Sequence, residues 1–498
     1  MTLDAEQLRE TVISRLNGGK LIAVSNREPY VHTRKGGRIR LSAPAGGLVT
    51  ALEPVLRACG GTWIAHGSGD ADRDVVDERD RVGVPPGEER YFLRRVWLTR
   101  EEEDAYYYGF SNQALWPLCH LAYTRPRFDP HQYAVYKEVN ARFAQAVLDE
   151  VGDASAWIFI QDYHFALLPR MLKQARPDLV VAHFWHIPWP HRESFQICPW
   201  AEEILDGMLG NDLIGFHIPQ HCLNFMETVD RTLETVADYE DMAVTRGGHR
   251  TQVRAFPISV DCDAIARAIE SPTIRADARR LRRELGLEGR CAAVGVDRID
   301  YTKGIPERFL AIDRFLERHP EYQGRFVFLQ IGPPSRTGIP EYRDLNDELH
   351  RLERRINAKY RRDGWRPIRF LNKNYQRDAL LAFFLVADLC IVSSLHDGMN
   401  LVAKEYVCAR SDGRGVLILS KFTGASKELE GAILINPYDT ESFADAIVDA
   451  LHMPDEERRR RMDRMCQALS ENSIYDWAAS VVKEISRISY ALTLPHAV

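Results

Sequence analysis

The stretch "LCIVSSLHDGMNLVAKE", residues 389–405, joins a short apolar run to the start of a helical pattern. The run 389–394 has the length and composition of a buried strand. Asp397 and Gly398 then favour a turn, and Asn400 is a good helix N-cap. Turn chemistry plus a cap is the simplest explanation. The alternative is that the helix start binds a charged ligand, because a helix N-terminus offers unpaired N–H groups and partial positive charge.

The same strand-to-helix pattern recurs along the whole chain. Short apolar strands, among them 20–26, 156–162, 291–300 and 324–332, alternate with amphipathic helices. Such strands predict parallel sheets covered on both faces. We therefore predict an α/β protein with two Rossmann-like, doubly wound parallel-sheet domains. Its active-site cleft is expected between the domains, at the carboxyl ends of both sheets.

A second series of strands begins after "RAFPISVDCDAIARAI", residues 254–269, where a proline precedes a new helix. This restart predicts an N-terminal domain over 1–258 and a C-terminal domain over 259–475. The remaining segment, 476–498, is predicted to be a helix that packs back on the N-terminal domain. The charged stretch 70–90 is predicted to be an exposed connection.

Composition limits the class of protein. The chain has 498 residues, of which 45% are apolar and 27% charged, and this is typical of a globular enzyme. Its formal net charge of −6 argues against a broad nucleic-acid surface. The nine cysteines have no CxxC spacing, which predicts free thiols rather than disulfides or a zinc site. A polar start and the lack of an apolar run of about 18 residues predict a cytoplasmic protein without a membrane span.

Two common nucleotide-binding signatures are missing. The sequence has no GxxxxGK loop followed by Ser or Thr, and the nearest approach to GxGxxG is "GSGDAD" at 67–72, which lacks the third glycine. A P-loop kinase and a nicotinamide-dependent dehydrogenase therefore lose their main support.

Glycines and basic residues favour a phosphate-bearing ligand instead. Gly46 and Gly47 precede one helix, as Gly398 precedes another. Four cations follow predicted strands, namely Arg27, Arg298, Lys303 and Arg336. Any one of them alone is best explained as a solvated residue, but four at the carboxyl ends of strands predict a polyanionic substrate.

Histidine and aromatic residues are less decisive. His186 opens "HIPWP", a rigid loop that could hold its ring in the cleft. The spacing of histidines and cysteines does not support zinc. Trp63, Tyr106, Tyr107 and Trp116 could pack on a sugar, although core packing is the favoured explanation for them.

These motifs together resemble the trehalose-6-phosphate synthase family, which comprises retaining glycosyltransferases of the GT-B arrangement. The resemblance runs from about residue 20 to about residue 480. Its motifs, in order, are "SNR", "AGGL", "YYGFSNQALWP", "DYH", "HIPWP", "RIDYTKGIPERF", "PPSR", "DGMNLVAKEYV" and "LSKFTGAS" with "NPYD". The pair "DGMNLVAKE" and R-x-D-Y-x-K-G is highly specific for this family and its close relatives.

The resemblance assigns roles residue by residue. It implies a catalytic set of His186, Arg298, Lys303 and Asp397. It implies donor binding by Gly46, Gly47, Arg298, Lys303, Asp397, Gly398, Met399, Asn400, Leu401, Val402 and Glu405. It implies acceptor binding by Arg27, Trp63, Tyr107, Trp116, Asp162 and Arg336. No metal or other cofactor is implied. His396 and Gln161 depart from familiar members, which often have Arg and His there.

The implied reaction moves glucose from a nucleotide sugar, usually UDP-glucose, to glucose 6-phosphate. The N-terminal domain would then bind the acceptor and the C-terminal domain the nucleotide sugar. Alternatives are a transferase with another phosphorylated acceptor, such as glycerol 3-phosphate or a pseudo-sugar phosphate, and a non-catalytic regulatory subunit. GDP- and ADP-glucose remain open as donors. The oligomeric state is also open, although relatives are often dimers or tetramers.

Overall fold

The computed structural model describes residues 5–16, 18–43, 47–362 and 364–493. It divides into two compact units. The first comprises Met1–Ile258 with Ile474–Val498, and the second comprises Ser259–Ser473. Each unit has its own parallel-strand sheet.

The central parallel strands of the first unit are apolar and buried, as expected for a sheet covered on both faces. The strands are β1 (Lys20–Ser25), β2 (Val31–Lys35), β3 (Arg38–Ser42), β4 (Thr62–His66), β5 (Arg81–Val84), β6 (Tyr91–Val96), β7 (Ala156–Gln161), β8 (Val180–Phe184), β9 (Leu213–Phe216), β10 (Val236–Asp238), β11 (Ala243–Arg246) and β12 (His249–Ala255). The helices are α1 (Ala5–Leu16), α2 (Gly47–Cys59), α3 (Arg100–Glu103), α4 (Trp116–His120), α5 (Pro130–Val151), α6 (Leu168–Ala175), α7 (Arg192–Phe195), α8 (Ala201–Met208) and α9 (Pro219–Thr232). A π-helix covers Asp104–Leu115.

The strand order of the first unit places its ligand edge. Seven parallel strands lie in the order β6-β4-β1-β7-β8-β9-β12, and an antiparallel strand follows at each end, β5 beside β6 and β11 beside β12. Counted along the chain, the first six are third, second, first, fourth, fifth and sixth, the usual dinucleotide-fold arrangement, and β12 adds a seventh. The order reverses between β1 and β7. Ligands of such sheets bind outside the carboxyl ends of the strands at this reversal.

The second unit repeats the arrangement. Its strands are β13 (Cys291–Val296), β14 (Phe326–Ile331), β15 (Ile368–Leu371), β16 (Leu389–Val392), β17 (Val416–Ser420) and β18 (Ile433–Ile435). Its helices are α10 (Cys262–Ile269), α11 (Pro272–Glu284), α12 (Ile305–Arg318), α13 (Pro340–Lys359), α14 (Arg377–Val386), α15 (Leu401–Ala409), α16 (Thr440–His452) and α17 (Asp455–Glu471). The strands are parallel in the order β15-β14-β13-β16-β17-β18. The order therefore reverses between β13 and β16, where "RIDYTKG" and "HDGMNLVAKE" begin.

The last helix, α18 (Ile474–Thr493), belongs to the first unit although it follows the second in sequence. Trp477 anchors it: its ring lies edge-on to Phe184 at 5.3 Å and 6.2 Å from Phe159, with distances taken between ring centroids. Arg254 and Glu484 add an ion pair at 3.3 Å. No helix in the described ranges is both long and apolar enough to cross a membrane.

Two cysteines correct the prediction that all thiols are free. Cys262 of α10 and Cys408 of α15 form a disulfide across 146 residues of sequence, with their Cα atoms 5.1 Å apart. This pairing could not be predicted from cysteine spacing, because it depends on how two distant helices pack. The other seven cysteines are free.

The stretch 70–90 also differs from its prediction. Asp72 is fully buried, and residues 81–84 form β5 on the edge of the large sheet. The charged stretch therefore contains one buried carboxylate, that of Asp72, which contacts Arg95 and His32 in the core.

Trp477→Ala should destabilise the first unit by about 3–5 kcal/mol, because it removes a buried aromatic side chain and leaves a cavity. Thermal and denaturant unfolding would measure this. Tyr490→Ala is the matched control on the same helix, since Tyr490 is 68% exposed. Equal losses for the two variants would contradict the packing described.

Candidate active site

The second unit gathers charged side chains at its strand-order reversal. Lys303, in the short helical turn after β13, contacts Asp397, after β16, with 2.5 Å between Nζ and Oδ2. The same carboxylate oxygen accepts hydrogen bonds from Ser394 Oγ and Asn400 Nδ2, each at 3.1 Å. Asp397 is therefore held by three donors from two strand exits.

The turn of "HDGMN" is held from its other side by the loop 421–426. Asp397 N donates to Phe422 O, and Gly424 N donates to Asp397 O. A side chain at Gly424 would lie 2.1 Å from Gly398 O, so only glycine fits this contact. Asn400 has a φ of 101° and caps α15 by accepting from Ala403 N at 3.0 Å. The cap predicted from sequence is present, and it coexists with the charged cluster.

A buried network lies beneath these two exits. Arg308 of α12 is fully buried and contacts Asp297 at 2.8 Å, Gln330 at 2.7 Å and Ser393 at 2.9 Å. Ser393 Oγ also donates to Gly304 O at 2.7 Å. Sequence reasoning missed Arg308, although it lies within the "GIPERF" part of a quoted motif.

Asp300 brings the predicted cations together. Arg336 Nη1 lies 3.1 Å from Asp300 Oδ2 and 2.6 Å from the Tyr342 hydroxyl. Burial alone would raise the pKa of Asp300, but Arg336 and Arg298 together lower it below its ordinary value. Burial also opposes the charge on Lys303, yet Asp397 and Asp297 raise its pKa above the usual range. This edge of the sheet, called the cationic edge below, therefore carries four cations beside three carboxylates: Arg298, Lys303, Arg308 and Arg336 beside Asp297, Asp300 and Asp397.

The remaining predicted donor residues, Met399, Leu401, Val402 and Glu405, lie at the start of α15 or just before it. Leu401 and Val402 form the first turn, and Met399 is buried before it. Burial raises the pKa of Glu405 to about 7, and nearby Arg377 partly offsets this rise. Sequence reasoning overlooked Arg377, the first residue of α14. Lys404 of the same helix is fully buried and pairs with Glu428 at 3.0 Å.

The first unit places its candidate residues at its own reversal point. Arg27 follows β1, and its Nη2 donates to the Tyr107 hydroxyl at 3.2 Å. Tyr107 stacks on His164 at 5.7 Å. Asn112 of the same π-helix donates to Tyr107 O at 2.7 Å. Irregular helical turns of this kind are frequent at functional sites, because they redirect side chains.

The other candidate residues of the first unit include two tryptophans, Trp63 and Trp116, and the glycines Gly46 and Gly47. Trp63 is fully buried, and its indole N–H donates to Ser25 Oγ, which in turn donates to Arg27 O. Trp63 therefore supports the Arg27 loop from the core, and its assignment to acceptor contact stays a prediction. Trp116 is 6% exposed beside Tyr163. Gly47 begins α2, whereas Gly46 lies outside the described residues.

His186 and Asp162 meet at the exits of β7 and β8. Asp162 has a φ of 70°, and its Oδ1 accepts from His186 N at 3.2 Å. His186 Nε2 lies 2.9 Å from Gln161 Oε1. Burial, with a smaller effect of His183, lowers the pKa of His186 to about 3. The imidazole is therefore neutral at physiological pH.

A second buried charge cluster fixes the loop that carries Arg27. Arg95 contacts Glu28 and Asp72, each at 2.8 Å. Glu28 also accepts from the backbone and hydroxyl of Ser68. Burial and the neighbouring Asp72 raise the pKa of Glu28 from 4.5 to about 7, although Arg95 opposes the rise. None of these partners was predicted from the sequence.

The comparisons with solved structures agree with this architecture. The chain aligns with a trehalose-6-phosphate protein from E. coli bound with UDP-2-fluoro glucose, at 32% identity and a TM-score of 0.84, covering 94% of this chain and 99% of that one. An α,α-trehalose-phosphate synthase (UDP-forming) from Burkholderia xenovorans in complex with glucose-6-phosphate gives 32% identity and a TM-score of 0.85, covering 94% and 100%. The fold and site define a glycosyltransferase of the GT-B class, which confirms the predicted fold.

Sequence comparison then gives the family. The model of glycosyltransferase family 20 matches residues 19–487. The trehalose-6-phosphate synthase of Mycobacterium marinum is 38% identical over 474 residues, which are 93% of each chain. The α,α-trehalose-phosphate synthase [UDP-forming] of Schizosaccharomyces pombe is 34% identical over 481 residues, covering 95% of this chain and 92% of that one. This chain belongs to glycosyltransferase family 20, and its resemblance to the trehalose-6-phosphate synthases is confirmed.

The raised pKa of Glu28 predicts a pH-dependent stability. Between pH 4.5 and about 7 the folded state holds a proton that the unfolded state has lost, so the free energy of unfolding should fall as pH rises through this window. Glu28→Gln should abolish this component, which is at most about 3 kcal/mol at 1.36 kcal/mol per pKa unit.

Denaturant unfolding at several pH values would measure the slope. Glu10→Gln, at an exposed position of α1, is the control and should keep the wild-type slope. A Glu28→Gln variant whose pH dependence matches wild type would contradict the cluster's role.

Proposed function

We propose that this protein transfers glucose from a nucleotide sugar, with UDP-glucose as the first choice, to glucose 6-phosphate. The products are α,α-trehalose 6-phosphate and the nucleoside diphosphate. The observation that carries the proposal is the cationic edge of the second unit, where Lys303 contacts Asp397 just before α15 and Arg298 lies near enough to Asp300 to lower its pKa. The named activities of the similar proteins support it.

The donor is proposed to bind at this edge. A diphosphate is satisfied by cations and by free N–H groups of a helix start, and residues 400–402 provide such a start. Asp397 is positioned for hydroxyls of the donor glucose. Glu405 lies one turn further along α15, where its side chain leans toward the helix start and can meet the ribose.

The acceptor is proposed to bind with its phosphate near cations. Arg27 is exposed and oriented by Tyr107, so its guanidinium can grip a phosphate. Arg336 is the second candidate, and here it pairs with Asp300. Trp116 and Asp162 complete the proposed acceptor set.

The reaction is proposed to retain configuration by a front-face displacement. A double displacement needs a free carboxylate as nucleophile. Asp397 suits that role poorly, because one of its oxygens already accepts three hydrogen bonds. The acceptor hydroxyl would instead attack from the face that the diphosphate leaves, and a diphosphate oxygen would take its proton. Positioning and stabilisation of the departing charge then account for catalysis.

A donor and acceptor panel tests this function. The purified protein is incubated with UDP-, GDP- or ADP-glucose and with glucose 6-phosphate or glycerol 3-phosphate, and the products are identified by mass spectrometry and NMR. We expect trehalose 6-phosphate with retention, at a rate that EDTA leaves unchanged because no metal is proposed to take part. Product from glycerol 3-phosphate alone would identify a different transferase. No transfer with any pair would point to a non-catalytic subunit.

Arg298→Ala should cost at least about 2 kcal/mol of transition-state stabilisation, roughly a thirtyfold loss of kcat/KM, because it removes a preorganised cation from the leaving group. Arg325→Ala is the matched control: Arg325 precedes β14 at the opposite, amino edge of the same sheet and is exposed. Steady-state kinetics on both variants would decide. A wild-type rate for Arg298→Ala would remove it from the catalytic set.

A further inference from the structure

Gln161 makes a contact that the proposed mechanism has not used. It is the last residue of β7 and is fully buried. Its Oε1 lies 2.9 Å from Nε2 of His186, which follows the neighbouring strand β8. Because parallel strands end at the same edge of a sheet, this pairing is a direct result of the topology.

The orientation of the Gln161 amide is fixed by its other end. Its Nε2 donates to Ile160 O at 3.2 Å. A carbonyl oxygen can only accept, so the NH₂ group must face Ile160 and the amide oxygen must face His186. An amide oxygen also only accepts. The proton of the contact therefore belongs to His186 Nε2.

The rest of the surroundings keep the imidazole neutral. The ring lies 4.6 Å from Phe184 and 5.5 Å from His217, between centroids. His183 Nε2 is engaged elsewhere, because it donates to Asp162 O at 2.9 Å. The carboxylate of Asp162 reaches the backbone N–H of His186, and a neutral amide faces the ring. A neutral imidazole with its proton on Nε2 carries its lone pair on Nδ1.

We propose that Gln161 is a positioning residue that holds His186 as the neutral Nε2–H tautomer, so that His186 serves the donor sugar as a hydrogen-bond acceptor through Nδ1. The inference rests on the proposed function and on the catalytic set that the family resemblance implies, which includes His186. It deepens that function by excluding His186 as an acid. Nδ1 makes no hydrogen bond within the described part of the chain, so it remains available to a sugar hydroxyl.

The tautomer can be measured without any activity. In protein labelled with ¹⁵N-histidine, the two imidazole nitrogens of His186 differ strongly in chemical shift according to which one carries the proton. His186→Asn identifies the signal among the 16 histidines. We expect a neutral Nε2–H form throughout pH 6–8. A proton on Nδ1, or an imidazolium at pH 7, would overturn the inference.

Two variants connect the tautomer to catalysis. Gln161→Glu places a carboxylate against Nε2 and should favour the imidazolium, which cannot accept a hydrogen bond. We expect kcat/KM for the donor to fall at least tenfold, most at the acidic end of pH 6–8, with KM for glucose 6-phosphate unchanged. Gln161→Leu removes the acceptor and should give a mixture of tautomers with a smaller loss that does not vary with pH.

Controls separate the possible failures. Gln220→Glu, an exposed change at the start of α9, should leave rates and spectra as in wild type, and thermal unfolding confirms that the Gln161 variants fold. Folded Gln161→Glu with wild-type kinetics and spectrum would overturn the positioning role. If wild type makes no trehalose 6-phosphate, the proposed function fails, while the spectrum still reports whether Gln161 sets the tautomer.

Discussion

The guanidinium of Arg308 has no access to water and makes three hydrogen bonds, one to each of three strand exits. Removing one partner of such a buried group leaves an uncompensated charge, which is costly. Asp297, Gln330 and Ser393 are therefore held at fixed positions relative to one another. Ser393 carries this constraint to Gly304, where the turn bearing Lys303 ends. The position of Lys303, and through it Asp397, thus depends on a residue that no substrate needs to contact.

The first unit uses a similar device with different residues. Arg95 stands between Glu28 and Asp72 and so ties the β1 exit to the loop after β4. Trp63 also contacts the β1 exit, because its indole N–H donates a hydrogen bond to Ser25 at the end of β1. In both units a buried arginine holds the loops at the carboxyl ends of the strands. Charge burial here specifies geometry rather than adding stability, because desolvation offsets most of the attraction.

Much of the fold could be predicted from sequence because apolar strands and amphipathic helices are local patterns. The restart near residue 258 and the helix start at Asn400 are likewise local. The contacts that could not be predicted join residues far apart in sequence. Examples are the ion pair of Lys404 with Glu428 and the disulfide between Cys262 and Cys408. The orientation of Trp63 was also hidden, since a strand buried on both faces has no polar alternation to show which way a side chain points.

Three of the eight described non-glycine residues with a positive φ lie in the candidate site. Asp162, Arg336 and Asn400 all have positive φ values, which non-glycine residues adopt at a cost of about 1–3 kcal/mol each. Each strained residue is held by hydrogen bonds: Asp162 by two backbone N–H groups, Arg336 by Asp300 and Tyr342, and Asn400 by its cap.

Such preorganisation favours a particular kind of catalysis. Groups already fixed in place cost no reorganisation when charge develops, so they stabilise a departing anion better than mobile groups do. The same fixed contacts fill one oxygen of Asp397 with three hydrogen bonds, which makes it a poor nucleophile. They also keep His186 neutral, which makes it a poor acid. The proposed chemistry fits these constraints: in it, the leaving diphosphate would depart into the cationic edge and would accept the proton of the incoming hydroxyl.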